Sequence, residues 1–204
     1  MKNKCKCTVV IFVAILMTGC ASQINLRNSA MHLQAGIAAE KMGDWETARL
    51  QFAQAVVNAD LGDGDFHGKA IVNYEYGKAL GVRCEYASAE KYLLRSKSFA
   101  ELGGEPAYLP LYELGLLNEA QGKSIPAANY FSQLIPIMEK EGLRRRYPLG
   151  VADVYERYAA ALDANGMHAE AMKQHEEAAE IIAENPNAKP AGKLTPYGSM
   201  CSLG

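Results

Sequence analysis

The chain has 204 residues, 49% of them hydrophobic and only 8% aromatic. That is long enough for one or two ordinary domains and too apolar for a disordered segment. Its formal net charge of −2 lacks the basic excess of a nucleic-acid binder, and 8 prolines leave room for long helices.

The chain opens on a leader. Lys2, Lys4 and Lys6 flank the start of an uncharged apolar run of ten residues, Thr8 to Met17. A bilayer-spanning helix takes roughly 20 residues, so this run suits the apolar region of a secretory signal instead. Leu16-Met17-Thr18-Gly19-Cys20 follows. It resembles the bacterial lipobox, an aliphatic residue and two small ones before cysteine, with Met17 where leucine is usual. The resemblance implies cleavage before Cys20, diacylglycerol on its thiol and an added acyl chain. An ordinary signal peptide beside a chance cysteine is the alternative. On the lipobox reading residues 1–19 leave with Cys5 and Cys7, and 18 basic against 23 acidic side chains give the mature chain a charge of −5. Two or three acyl chains form a stable anchor where a single chain binds reversibly. Ala21, at the position where an aspartate favours retention, implies sorting to the outer membrane, facing the periplasm. Residues 20–28 read as a lipid-anchored linker.

From there the pattern is helical throughout, with predicted helices over 29–42, 45–59, 68–81, 86–101, 106–121, 125–141, 150–164 and 168–184. Pro106 and Pro126 fit first turns. Pro136 falls inside the sixth helix, where an uncompensated proline costs about 3 kcal/mol, and predicts a kink or early end. Asp60-Leu61-Gly62-Asp63-Gly64-Asp65 reads as a loop between the first two hairpins. Its alternating acids lack the bidentate acid that an EF-hand needs at its twelfth position, so a solvated turn is favoured over calcium. No metal site is expected.

The helices repeat in pairs. Twelve residues after Gly36, Gly77, Gly115 and Ala159 stand Ala48, Ala89, Ala127 and Ala171. At +16 come Phe52, Leu93, Phe131 and His175, and at +19 Ala55, Ser96, Leu134 and Ala178. The turn position at +7 reads Gly43, Cys84, Gly122 and Gly166. This register resembles the tetratricopeptide repeat (TPR), in which a small residue on helix A faces an alanine on helix B. The resemblance spans roughly residues 29–185 and implies an all-α, right-handed solenoid of about four antiparallel helix hairpins. The starting residues are 41, 38 and 44 positions apart against a usual 34, which predicts longer helices or longer links.

After Asn185 come Pro186, Pro190 and Pro196 with Gly192 and Gly198, so residues 186–204 read as a non-helical tail. Leu194, Tyr197, Met200 and Leu203 could lay it over the last hairpin; a loose tail is the alternative. Cys84 and Cys201 are the two thiols left after lipidation. Sixteen residues of tail could reach about 50 Å, so a disulfide between them is permitted but not required. Arg144-Arg145-Arg146 is the one basic cluster, read either as a solvated link or as a contact for anionic head groups or an acidic partner.

Catalytic motifs are missing. His32, His67, His168 and His175 never fall at the i, i+4 spacing of a helical zinc pair, and no G-x-S-x-G elbow, phosphate-binding glycine loop or C-x-x-C pair occurs. The expectation is no enzyme and no cofactor beyond the lipid on Cys20. In the tetratricopeptide family, offsets −3, +1, +4 and +5 from the glycine line a concave groove. Carried over, they make Leu33, Ile37, Tyr74, Lys78, Tyr112, Leu116 and Glu119 the candidate partner-binding wall, with Glu40 and Gly81 among its other positions. Aromatic beside aliphatic residues suit peptide binding; a tail or longer helix covering the wall is the alternative. The resemblance implies a protein–protein interaction scaffold or accessory factor for an envelope assembly such as a pilus, secretion or outer-membrane machine. A module binding a small ligand or cell-wall fragment is the other reading.

Overall fold

In the computed structural model the described residues are 4–63, 65–189 and 192–201, with side chains described from Ala21 onward. All elements among them are helices: α1 (Lys4–Lys41), α2 (Trp45–Leu61), α3 (Phe66–Val82), α4 (Tyr86–Leu102), α5 (Tyr108–Glu119), α6 (Ser124–Lys140), α7 (Leu143–Arg146), α8 (Pro148–Asp163) and α9 (His168–Glu184). The hairpins are α1–α2, α3–α4, α5–α6 and α8–α9, each stacked on the next. No helix among the described residues is long and apolar enough to cross a membrane.

The repeat register is a packing rule, though not quite the one read from sequence. A Cβ added to Gly36 would lie 2.4 Å from the ring of Phe52, and one added to Gly115 would lie 2.4 Å from Phe131. At Gly77 the nearest atom would be Leu93 Cγ at 2.8 Å. The helix-A glycine therefore makes room for the large residue at +16 of its own hairpin. The alanines at +12 are also fully packed, with Ala48, Ala89 and Ala171 at 0% exposure and Ala127 at 1%. Trp45 joins the cluster of Ala39, Ala48, Phe52 and Ala79, plugging the first hairpin.

Three local expectations change. Residues 20–28 form part of α1 rather than a linker. The reason is contact with the end of the first hairpin: buried Ser22 accepts from Asp63 N at 2.8 Å, and Leu26 lies over Gly62. Pro136 does not end α6, which runs on to Lys140. It sits on the exposed side, where water can satisfy the carbonyl that proline leaves unpaired. The long spacing before the last hairpin comes instead from α7, a single turn entered through Gly142 in the left-handed region (φ 65°).

The acidic loop is consumed by structure. Asp60 pairs with Arg95 at 2.8 Å, and Asp65 caps α3 by accepting from Gly68 N at 2.8 Å. No group of three or more His, Cys, Asp or Glu side chains among the described residues could hold a metal ion.

The glycine rule gives a paired prediction. In an open helix position Gly→Ala gains up to about 1 kcal/mol, and Gly150, whose added Cβ would meet nothing closer than 3.9 Å, should follow that trend. Gly115→Ala should instead destabilise by about 1–3 kcal/mol, because overpacking against Phe131 outweighs the propensity gain. Urea unfolding of the two variants checks this; equal stabilisation by both would refute it.

Candidate functional site

The inner wall is formed by the first helix of each hairpin, and the structure places the tail across its middle. Tyr197 fills a slot over Gly81, where an added Cβ would lie 2.4 Å from its ring and 2.8 Å from Leu117. Gly198 N donates to Gly81 O at 3.2 Å and Met200 N to Val82 O at 3.0 Å. Both acceptors are among the last carbonyls of α3; Gly81 O also accepts from Cys84 N at 3.1 Å. The tail thus caps α3 while anchoring one aromatic ring. It docks on the second and third hairpins, not over the last one as the apolar residues suggested. Leu194 and Met200 stay exposed, and Leu203 lies outside the described residues.

Cys84 and Cys201 form a disulfide that holds this arrangement, with Cα atoms 5.2 Å apart. Cys84 sits at the turn position and is the one non-glycine residue with positive φ (66°) among the described residues, matching Gly43, Gly122 and Gly166. A left-handed cysteine costs roughly 1–2 kcal/mol. Closing a loop with a sequence separation of 117 contributes up to about 4–5 kcal/mol. The crosslink outweighs the strain.

Below Tyr197 lies a buried carboxylate. Glu113, 5% exposed, accepts from Tyr197 Oη at 2.7 Å, Thr195 Oγ1 at 3.0 Å and Tyr74 Oη at 3.2 Å. Burial pushes its carboxyl up from the ordinary range, against the Tyr197 bond, the Lys78 charge and the Thr195 and Tyr74 bonds. Burial first, then the nearby carboxylates, likewise raises Tyr74 and Tyr197 well above 10, so both hydroxyls stay protonated donors. Beside them Lys78 Nζ contacts Glu75 at 2.7 Å and Glu40 at 2.9 Å, and lies 5.1 Å from the Tyr74 ring centre. Burial opposes the lysine's charge, but Glu75 and Glu40 outweigh it and hold its pKa up.

The next stretch of wall is similarly occupied. Arg157 joins Glu119 and Asp153 at 2.8 Å each, and Tyr112 Oη donates to Asp153 at 2.7 Å. These bonds tie α5 to α8 as Lys78 ties α3 to α1.

The predicted wall residues therefore separate. Lys78 and Glu119 are engaged in ion pairs between hairpins, Leu116 is buried at 5%, and Tyr74 lies beneath the tail. Leu33 and Ile37 are half-buried against the first-hairpin core. Of the seven, Tyr112 lines an open space, the cleft between α5, α6, α7, α8 and the tail. Glu113 and Tyr197 were missed as a pair because they lie 84 positions apart. One signal was available: Glu113 is an acid inside the otherwise apolar run Tyr108 to Leu117. Cys20, the expected lipid site, lies outside the described side chains.

The open space is a cleft of about 900 Å³ between α5, α6, α7, α8 and the tail. Leu134, Met138, Leu143, Val151 and Val154 form its buried lining, and Tyr108, Leu109, Tyr112 and Tyr147 its sides.

No protein-family description matches the chain, and no curated protein matches it. Among solved structures it is similar to MamA, at 21% identity and TM-score 0.63, covering 78% of this chain and 81% of that one. It is also similar to BtubC from P. vanneervenii, at 14% identity and TM-score 0.72, covering 81% and 67%. The nearly identical TPR-like repeats of a kinesin light chain from Podosopora anserina match at 20% identity and TM-score 0.62, covering 78% and 77%. The fold is a TPR-like solenoid. At these identities the likeness speaks to the fold alone.

Glu113 makes a pH prediction. The folded protein keeps a proton on it over a range where the unfolded chain has lost one. Its contribution is therefore complete below the unfolded value, near 4.3, and is lost as pH rises through the raised folded value. Glu113→Gln keeps the contacts without the charge. Its stability relative to the parent chain should rise as pH climbs above about 4, read as urea midpoints across pH. Parallel profiles would contradict the assignment.

Proposed function

We propose that the chain is a lipid-anchored scaffold or accessory factor on the periplasmic side of the bacterial outer membrane, holding a protein partner of an envelope assembly such as a pilus, secretion or outer-membrane machine. The observation that carries the binding part is the tail itself. The solenoid wall holds the turn at residues 197–200 through main-chain hydrogen bonds at Gly81 and Val82 and one aromatic anchor, Tyr197. Main-chain bonds and one buried aromatic ring together show that this wall can hold a polypeptide segment. The tail covers the middle of the wall, so the partner's surface is the part beyond it, where exposed Leu109 (48%) and Tyr147 (63%) flank the cleft.

The envelope part of the reading rests on sequence: Lys2, Lys4 and Lys6, the apolar run, and Leu16-Met17-Thr18-Gly19-Cys20. The disulfide adds support, because such bonds persist in oxidising compartments.

A second reading has one observation of its own. A cleft of about 900 Å³ falls within the usual size of small-ligand sites, roughly 300–1,000 Å³, so a binding module for a small molecule fits the same surface.

Two measurements test the scaffold. Cys20→Ser should abolish incorporation of radiolabelled palmitate and shift the protein out of the membrane fraction; continued labelling would contradict the anchor. A photo-crosslinking side chain at Leu109 should trap a discrete partner in intact cells, whereas one at Ala87, on exposed α4, should not. The same pattern from both positions would place the partner elsewhere.

A further inference from the structure

The cleft has a chemical polarity that the scaffold reading does not use. Its buried floor is aliphatic, from Leu134, Met138, Leu143, Val151 and Val154. The charged side chains that line it are both basic: Arg146 and Lys189, each exposed and therefore at the mouth. No acidic residue is among its lining.

The arginine cluster divides accordingly. Arg144 is consumed by α9, pairing with Glu177, with Glu184 at 3.0 Å and with Glu180 at 3.5 Å. Arg146 turns the other way. Its Nη2 donates to the main-chain oxygen of Glu141 at 2.7 Å, and no carboxylate pairs with it among the described residues. A guanidinium fixed through one nitrogen keeps its remaining donors for an anion. Those aliphatic walls favour an apolar body, whose surface they remove from water. Of the tyrosines that line the cleft, Tyr112 has its hydroxyl proton committed to Asp153.

We infer that this cleft binds a long-chain amphiphilic anion, its acyl body on the Leu134–Met138–Val154 floor and its carboxylate or phosphate at Arg146 and Lys189. The inference deepens the small-ligand reading and leaves the scaffold role standing or falling by itself. A free fatty acid and the acyl chain of an anionic lipid share this chemistry. The length of the head group decides between them.

The test uses the full chain with Cys20→Ser, disulfide intact and free of detergent, and follows displacement of the fluorescent fatty acid cis-parinaric acid. Palmitate should displace it. Hexadecanol and hexadecyltrimethylammonium should be weaker by at least about tenfold, the value of one charge-assisted hydrogen bond. Arg146→Glu with Lys189→Glu should weaken palmitate by a similar factor and leave hexadecanol unchanged. Val154→Trp should weaken both by filling the floor, with an unaltered helical circular dichroism spectrum confirming the fold. A lysophosphatidylglycerol that outcompetes palmitate would identify the source as a lipid.

Equal displacement by all three head groups would overturn the anion assignment while leaving a small-ligand site. Absence of parinaric acid binding, or displacement by an acidic leucine-rich peptide and not by palmitate, would overturn the inference and leave the scaffold reading intact. Palmitate binding undiminished in Val154→Trp would place the site outside this cleft and overturn it too.

Discussion

The arrangement of this surface depends on one close approach, the ring of Tyr197 over the bare Cα of Gly81. A side chain there would fill the slot, since even a methyl group would sit 2.4 Å from the ring. With the ring in place, its hydroxyl reaches Glu113, Gly198 N reaches Gly81 O, which also accepts from Cys84 N, and Met200 N reaches Val82 O. Remove the ring and a desolvated carboxyl loses its shortest hydrogen bond. The constraint is therefore mutual: the wall supplies acceptors at Glu113, Gly81 and Val82, and the tail supplies the donors.

This makes the tail part of the solenoid's architecture. Repeat arrays expose an apolar face at each end and commonly close it with a polar helix. Here the tail bypasses the last hairpin and returns to the second and third. Its crosslink at Cys84 uses a backbone position that the other hairpins give to glycine. The wall is thereby divided into a closed half under the tail and an open half beside α7, and it is the open half that has room for something else.

Much of the fold was legible in the sequence. Alanine at +12 and a large residue at +16 recur with the hairpin because helix crossing distance is set locally by side-chain size. The left-handed turns at Gly43, Gly122 and Gly166 were legible for the same reason, and Cys84 was visible as the odd member. The site was less legible. Lys78 and Glu119 look like free groove charges in a linear register, and only three-dimensional stacking shows Glu40 and Arg157 beside them. The pairing of Glu113 with Tyr197 joins segments with no shared period. The cleft owes its shape to α7, a four-residue turn too short to leave a periodic signal. Pro136 does not end α6, because the rule about helix interiors is weaker on an exposed face.

The tail's engagement with the wall is the central claim, and amide hydrogen exchange at Gly198 and Met200 tests it most directly. In the oxidised protein both amides should be protected well beyond free-peptide rates, and protection should fall when Cys84–Cys201 is reduced or Tyr197 is replaced by alanine. Exchange at free-peptide rates in the intact, oxidised chain would mean that the tail does not occupy the wall.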